Sequence, residues 1–261
     1  MYKWDRAPLA PIAHRGSPDD FAPPAWSRVR EVIWHLPRML SGLGPLGPRG
    51  PEDGPPVLVI PGFLATDRTT MDLRRALARA GWRSHPWMLG MNGGAKPNTM
   101  DLLQQRLDAI YQDAKQPVLI VGWSLGGMFA RQLACRSPDK VRAVVTLGSP
   151  FSGNLKTNNN VRTFYEWIAG HDVNVPPFEN MTHKPPVPTL ALWSRKDGIV
   201  APAAARGKAH EVDKAVELDA GHTELVASRP VLSRIVAEIR TFLTAMEGEA
   251  PRMGTLRPLK A

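Results

Sequence analysis

The sequence predicts an α/β protein with a mostly parallel sheet of about six strands flanked by helices and interrupted by a short lid-like insertion. Two observations carry that reading. From Pro55 onward, apolar runs such as Val57–Ile60, Val118–Val121 and Val141–Leu147 alternate with segments of helical period. The runs are continuous where a half-exposed strand would alternate, which is the pattern of strands covered by helices on both faces.

Taken in order, Val57–Ile60 reads as the first buried strand and Thr66–Ala80 as a helix stopped at Gly81. Trp82–Trp87 is a second strand, and Thr99–Ala114 a helix with Leu102, Leu103, Leu107 and Ile110 on one face. The unit repeats with the strand Val118–Val121, the helix Leu125–Cys135 and the strand Val141–Leu147. Pro188–Trp193 and Ala215–Leu218 are the last strands, before helices over about Thr223–Met246. These elements delimit a catalytic domain over 55–247 with its insertion at 152–187, preceded by a Pro/Gly-rich extension (1–54) and followed by a basic tail (248–261). Within the extension, Val29, Val32, Ile33, Leu36, Leu40 and Leu43 fall at helical spacing, predicting a short amphipathic helix kinked at Pro37. Gly and Pro then recur from Gly42 to Pro56 as an extended strap.

Composition bounds the function classes. Of 261 residues, 43% are hydrophobic and 22% charged, which excludes a disordered chain or a rod. The single cysteine, Cys135, can build neither an internal disulfide nor a Cys-based zinc site, so packing must hold the fold. An excess of 33 Lys and Arg over 24 Asp and Glu gives +9, which favours anionic surfaces. No basic-aromatic array or motif accompanies that charge, so no nucleic acid is expected as a partner. No run approaches the ~20 apolar residues of a membrane span, and Met1–Gly16 carries charges and prolines where a signal peptide needs an apolar stretch. A cytoplasmic protein is therefore expected. Peripheral contact with a membrane, through the N-terminal helix and the tail residues Arg252, Arg257 and Lys260, is the alternative to that helix packing on its own core. Oligomeric state is left open.

Ligands of such sheets bind beyond the carboxyl ends of the strands, so the residues just after each strand hold the chemistry. After Val118–Val121 comes Gly122-Trp123-Ser124-Leu125-Gly126-Gly127, a G-x-S-x-G sequence between strand and helix. That turn presents Ser124 at its apex, and the helix start turns backbone N–H groups toward developing negative charge. A serine hydroxyl needs a base to take its proton and a third group to fix the base. Asp197 follows the strand ending at Trp193, and His222 follows the last strand in Asp219-Ala220-Gly221-His222, giving the chain order Ser, Asp, His. His171, His183 and His210 are competing bases; Asp172 and Asp219 are competing acids, Asp219 being the better substitute for Asp197. Oxyanion donors, each worth about 3–4 kcal/mol of barrier, would be the N–H of Leu125 and that of Phe63 in Pro61-Gly62-Phe63-Leu64. No cofactor is called for, and no metal is expected, since ligand spacing such as H-E-x-x-H is missing.

On Val57–Phe63, Gly122–Gly127, Leu147-Gly148-Ser149-Pro150-Phe151, Asp197-Gly198-Ile199-Val200 and Gly221-His222, the chain resembles the α/β-hydrolases, and among them bacterial lipase-like serine esterases, over about residues 55–245. The resemblance implies Ser124 as nucleophile, Asp197 as acid and His222 as base, with Gly62-Phe63 an oxyanion loop of the type found in lipases acting on medium and long acyl chains. Bacterial lipases likewise lack a strand pair before the strand matching Val57–Ile60. The implied activity is hydrolysis of a small-molecule or lipid ester through a serine acyl-enzyme; acyl transfer and thioester or amide hydrolysis share that first half-reaction. A membrane-surface protein with a relict site is the reading from another class. Leu64, Phe151, Leu155, Phe164 and Trp167 are the candidate acyl-pocket residues, the last three in the lid-like insertion.

Overall fold

The structure, a computed structural model, describes residues 50–153 and 183–249. The helix expected at 27–43, most of the insertion and nearly all of the basic tail lie outside the described residues. Those described form β1 (Pro56–Ile60), α1 (Met71–Arg79), β2 (Arg83–Pro86), α2 (Thr99–Ala114), β3 (Val118–Trp123), α3 (Leu125–Arg136), β4 (Val141–Leu147), β5 (Thr189–Trp193), α4 (Pro202–Arg206), β6 (Lys214–Glu217), α5 (Glu224–Ala227) and α6 (Arg229–Glu249). The six strands make one sheet in the order β2-β1-β3-β4-β5-β6, and every pairing is parallel. The expected sheet of about six strands flanked by helices is thus the observed one.

Because successive side chains of a strand point to opposite faces, the apolar runs supply two cores. Leu58, Ile60, Ile120 and Val144 meet Leu103 and Leu107 of α2, Met128 and Leu133 of α3 and Ala204 of α4. Val57, Val59, Val121 and Val145 meet Leu73 and Leu77 of α1, Leu225 of α5 and Ile235 and Ile239 of α6. Each such leucine or isoleucine contributes about 1.5–3 kcal/mol by burial. No helix of the described residues is long and apolar enough to cross a membrane.

Several element boundaries differ from the expectation by one residue or more, that of α1 the most. Helix α1 starts at Met71 instead of Thr66, because side chains in 66–70 compete for the backbone: Thr69 Oγ1 accepts the Thr66 N–H, and the Thr70 hydroxyl donates to the Asp67 carbonyl. The C-terminal helical stretch breaks at Ser228, whose backbone is extended, ahead of Pro230 in the first turn of α6. The last strand is shifted by one residue, to Lys214–Glu217.

Chain direction across the sheet positions the site. After β1 the chain turns to α1 on one face, whereas after β3, the neighbouring strand, it turns to α3 on the other. A crevice opens where adjacent strands diverge in this way, at their carboxyl ends. Here those ends are Pro61–Leu64 and Ser124.

The loop after β2 is fastened to the loop after β1 by Asp67. Its carboxylate accepts the N–H groups of Trp87 at 2.9 Å and Met88 at 3.1 Å, and its carbonyl accepts from Arg74. Asp67→Ala leaves both N–H groups without this acceptor and is expected to cost about 1–3 kcal/mol, measured by urea unfolding. Burial holds the Asp67 carboxyl above the ordinary range. The folded state therefore binds this proton more tightly than the unfolded chain, and the group's contribution to stability is lost as pH rises through the raised value. The stability difference between wild type and Asp67→Asn should shrink over that same rise.

Candidate active site

Ser124 occupies the turn between β3 and α3 with φ 53° and ψ −123°, in a region that costs a non-glycine residue about 1–3 kcal/mol. Its N–H is pinned to the Leu147 carbonyl of β4 at 2.8 Å. The turn closes only because its neighbours lack side chains. A Cβ on Gly126 would stand 2.2 Å from the Ile60 carbonyl oxygen, and one on Gly122 would stand 2.3 Å from that of Gly126. Leu125 is the first residue of α3, so its N–H is one of the helix-start donors left without an intrahelical partner.

Asp197 and His222 come from the loops after β5 and β6, and the structure brings them together. His222 Nδ1 lies 2.7 Å from Asp197 Oδ2, with both side chains almost fully buried. The other carboxylate oxygen, Oδ1, accepts the N–H groups of Ile199 and Val200, each at 2.8 Å. Ser194 Oγ accepts the N–H groups of Lys196 and Ala220, tying the two loops to each other. The competing residues stand elsewhere. Asp219 is exposed and pairs with Lys196 at 2.5 Å, while His183 and His210 are exposed. His171 and Asp172 lie outside the described residues.

Two further residues shape the site, neither singled out by its sequence pattern. Trp123 donates its indole N–H to the His222 carbonyl at 3.1 Å, its ring 5.2 Å from the imidazole. Gly148, at φ 52°, lies so close beneath the pair that a Cβ there would fall 2.8 Å from Asp197 Oδ2 and 3.1 Å from His222 Nδ1. Gly148 was visible only as part of a short motif, and Trp123 only as the variable position of another.

Phe63, the second expected oxyanion donor, and Leu64, an expected pocket residue, are half-buried at the exit of β1; the pocket candidates Leu155, Phe164 and Trp167 lie outside the described residues. Phe151 is 1% exposed and packs into the core, with the guanidinium of Arg131 4.2 Å above its ring centre. The aromatic face offsets part of the cost of burying that cation. Burial brings the Arg131 pKa down to about 10, and its N–H groups donate to the carbonyls of Glu211 and His183. Among the described residues, no group of three or more His, Cys, Asp or Glu is placed to hold a metal ion.

Comparison with known proteins agrees with this architecture. A family model described as the alpha/beta hydrolase fold matches residues 111–184. Over 47 residues the chain is 36% identical to a pimeloyl-(acyl-carrier protein) methyl ester esterase of Yersinia enterocolitica, a stretch that makes up 18% of each protein. The chain thus matches less than a fifth of that relative's length. Among solved structures, it is similar to a thioesterase domain from the curacin biosynthetic pathway, with TM-score 0.55 and 15% identity over 72% of this chain and 93% of the domain. It is also similar to a monoacylglycerol lipase of Paleococcus ferrophilus, with TM-score 0.51 and 18% identity over 73% of this chain and 96% of the lipase. A Bacillus subtilis carboxylesterase gives TM-score 0.51 and 15% identity over 75% and 86%. The chain has the α/β-hydrolase fold.

Gly148→Ala is expected to push the imidazole and carboxylate apart. The low-field proton resonance of a short, buried His–Asp hydrogen bond should be present in the wild type and lost in this variant.

Proposed function

We propose that this chain is a serine hydrolase that cleaves carboxylic esters through an acyl-enzyme on Ser124, with His222 as general base and Asp197 as its orienting acid. The observation that carries the reading is the buried 2.7 Å contact of His222 Nδ1 with Asp197, reached from two different loops on the same edge of the sheet as the strained Ser124 turn. An Nδ1–H donated to Asp197 leaves Nε2 unprotonated and able to accept a proton. The esterase and lipase names among the similar proteins point the same way.

In this mechanism Ser124 Oγ attacks the ester carbonyl carbon as His222 Nε2 takes its proton. The carbonyl π electrons move onto oxygen, and the N–H groups of Leu125 and Phe63 donate to that oxyanion. Collapse re-forms the carbonyl and breaks the bond to the alcohol oxygen, which leaves with the proton held by His222. Water then attacks the acyl-enzyme, giving its proton to His222; the carboxylic acid departs and the proton returns to Ser124. Asp197 stays ionised throughout and stabilises the imidazolium. Leu64, next to Phe63 in the same half-buried turn, is the described candidate for contact with the acyl chain.

A series of p-nitrophenyl esters of increasing acyl length, run beside a fluorophosphonate label, tests this reading. The wild type should turn over and label at Ser124, with the peak of kcat/KM along the series reporting pocket depth. Ser124→Ala should abolish both signals, and His222→Ala should be comparably severe. Asp197→Asn should lose up to ~10⁴-fold in kcat while keeping more activity than either. Ester turnover at the wild-type rate in Ser124→Ala would overturn the proposal. So would a damaging Asp219→Asn beside a harmless Asp197→Asn, for the identity of the acid.

A further inference from the structure

The loop that carries Phe63 is gripped by Asn92 from the loop after β2. Gly62 to Ala65 forms a turn closed by the Ala65 N–H donating to the Gly62 carbonyl at 3.1 Å, and Leu64 sits in it at φ 55°, where a branched side chain is strained. Such a conformation persists only when its surroundings over-determine it. The surroundings here are Asn92, fully buried in the loop after β2. Its backbone clasps the far side of the turn: the Leu64 N–H donates to the Asn92 carbonyl and the Asn92 N–H to the Ala65 carbonyl, both at 2.8 Å. The side chain reaches the near side, Nδ2 donating to the Pro61 carbonyl at 2.8 Å, while Oδ1 accepts the Gly94 N–H at 3.1 Å. Phe63 is thus bracketed by anchors at Pro61, Leu64 and Ala65. Across the crevice the same loop rests on the serine turn, since a Cβ on Gly62 would touch the Trp123 ring at 3.0 Å and Ser124 Cβ at 3.1 Å.

We infer that Asn92 is a positioning residue for the oxyanion site, holding the Pro61–Ala65 turn at the distance from Ser124 at which the Phe63 N–H can meet an oxyanion. This rests on the ester-hydrolase reading above. An asparagine is required because the position needs a donor toward Pro61 and an acceptor for Gly94 from one short side chain; aspartate supplies only the second, alanine neither. The carrier loop is itself fixed, since Asp67 holds Trp87 and Met88 and the Trp87 indole N–H donates to Gly90. Loss of the Asn92 side chain leaves the two backbone clasps in place and releases the Pro61 end of the turn, on the side of Phe63 that faces the serine turn.

The test compares wild type, Asn92→Ala and Asn92→Asp, each checked for folding by thermal melting, with a short-chain p-nitrophenyl ester and a trifluoromethyl ketone of matching length. The ketone's tetrahedral adduct on serine places an oxyanion against the donors, and the matching alcohol, which forms no adduct, is the control ligand. Both variants should lose ~10- to 100-fold in kcat with KM within about twofold, because a donor misplaced by a fraction of an ångström acts mainly in the transition state. Ketone affinity should fall by a similar factor, and affinity for the alcohol should hold. A folded Asn92→Ala or Asn92→Asp enzyme with wild-type kcat and ketone affinity overturns the inference, as does a loss that appears equally for ketone and alcohol. Should Asn92→Ala fail to fold, Asn92→Ser takes its place under the same criteria. A wild-type protein that neither turns over esters nor takes the phosphonate label overturns the hydrolase reading itself; an active wild type with unaffected variants overturns only the role of Asn92.

Discussion

The structure turns on the near-contact of two backbone segments at the carboxyl ends of β1 and β3. The α-carbon of Gly126 approaches the Ile60 carbonyl so closely that a methyl group there would overlap it. This lets α3 begin immediately beyond β3 and forces the intervening residue into the positive-φ turn seen at Ser124. The same approach sets the gap to the turn after β1, since that turn continues from Ile60 itself. Any chemistry at Ser124 therefore takes place between two segments whose separation is fixed by packed backbone, with little left to side-chain flexibility.

Around this junction the buried polar groups answer one another. Asp197 uses one oxygen on two backbone N–H groups and the other on His222, while the indole N–H of Trp123 satisfies the His222 carbonyl. Burying such groups unpaired would cost several kcal/mol, so the pairings leave a narrow set of positions for the imidazole. Gly148 completes the constraint by leaving room beneath the pair for nothing larger than hydrogen. A site of this kind is pre-organised: its groups are held by the fold before any ligand arrives.

The outer support has the same character at longer range. Asp67, just past the turn after β1, grips the start of the loop after β2, and Asn92 in that loop reaches back to the turn. The two loops thus brace each other in both directions. Their exchange of hydrogen bonds also explains how Leu64 can hold a conformation its own side chain disfavours.

What could be read from the sequence alone was whatever is encoded locally. Continuous apolar runs such as Val57–Ile60 announce burial on both faces, and a serine between two glycines at fixed offsets announces a tight strand-to-helix turn, because periodicity and backbone sterics act within a few residues. Asp197 and His222 could be nominated from their places after strands. Their meeting could not be read: they are 25 positions apart, and Asp219, only three residues from His222, looked a reasonable substitute until the fold turned it outward to Lys196. The stacking of Arg131 on the Phe151 ring is likewise visible only in three-dimensional packing. Trp123 and Gly148 lie inside motifs that do not reveal their contacts, nothing along the chain marks Asn92, and all three meet partners brought near by the parallel crossovers. Local sequence determined the strands, the helices and the serine turn; tertiary structure decided which loop residues face one another, because crossover connections bring together groups whose sequence separation carries no trace of that proximity.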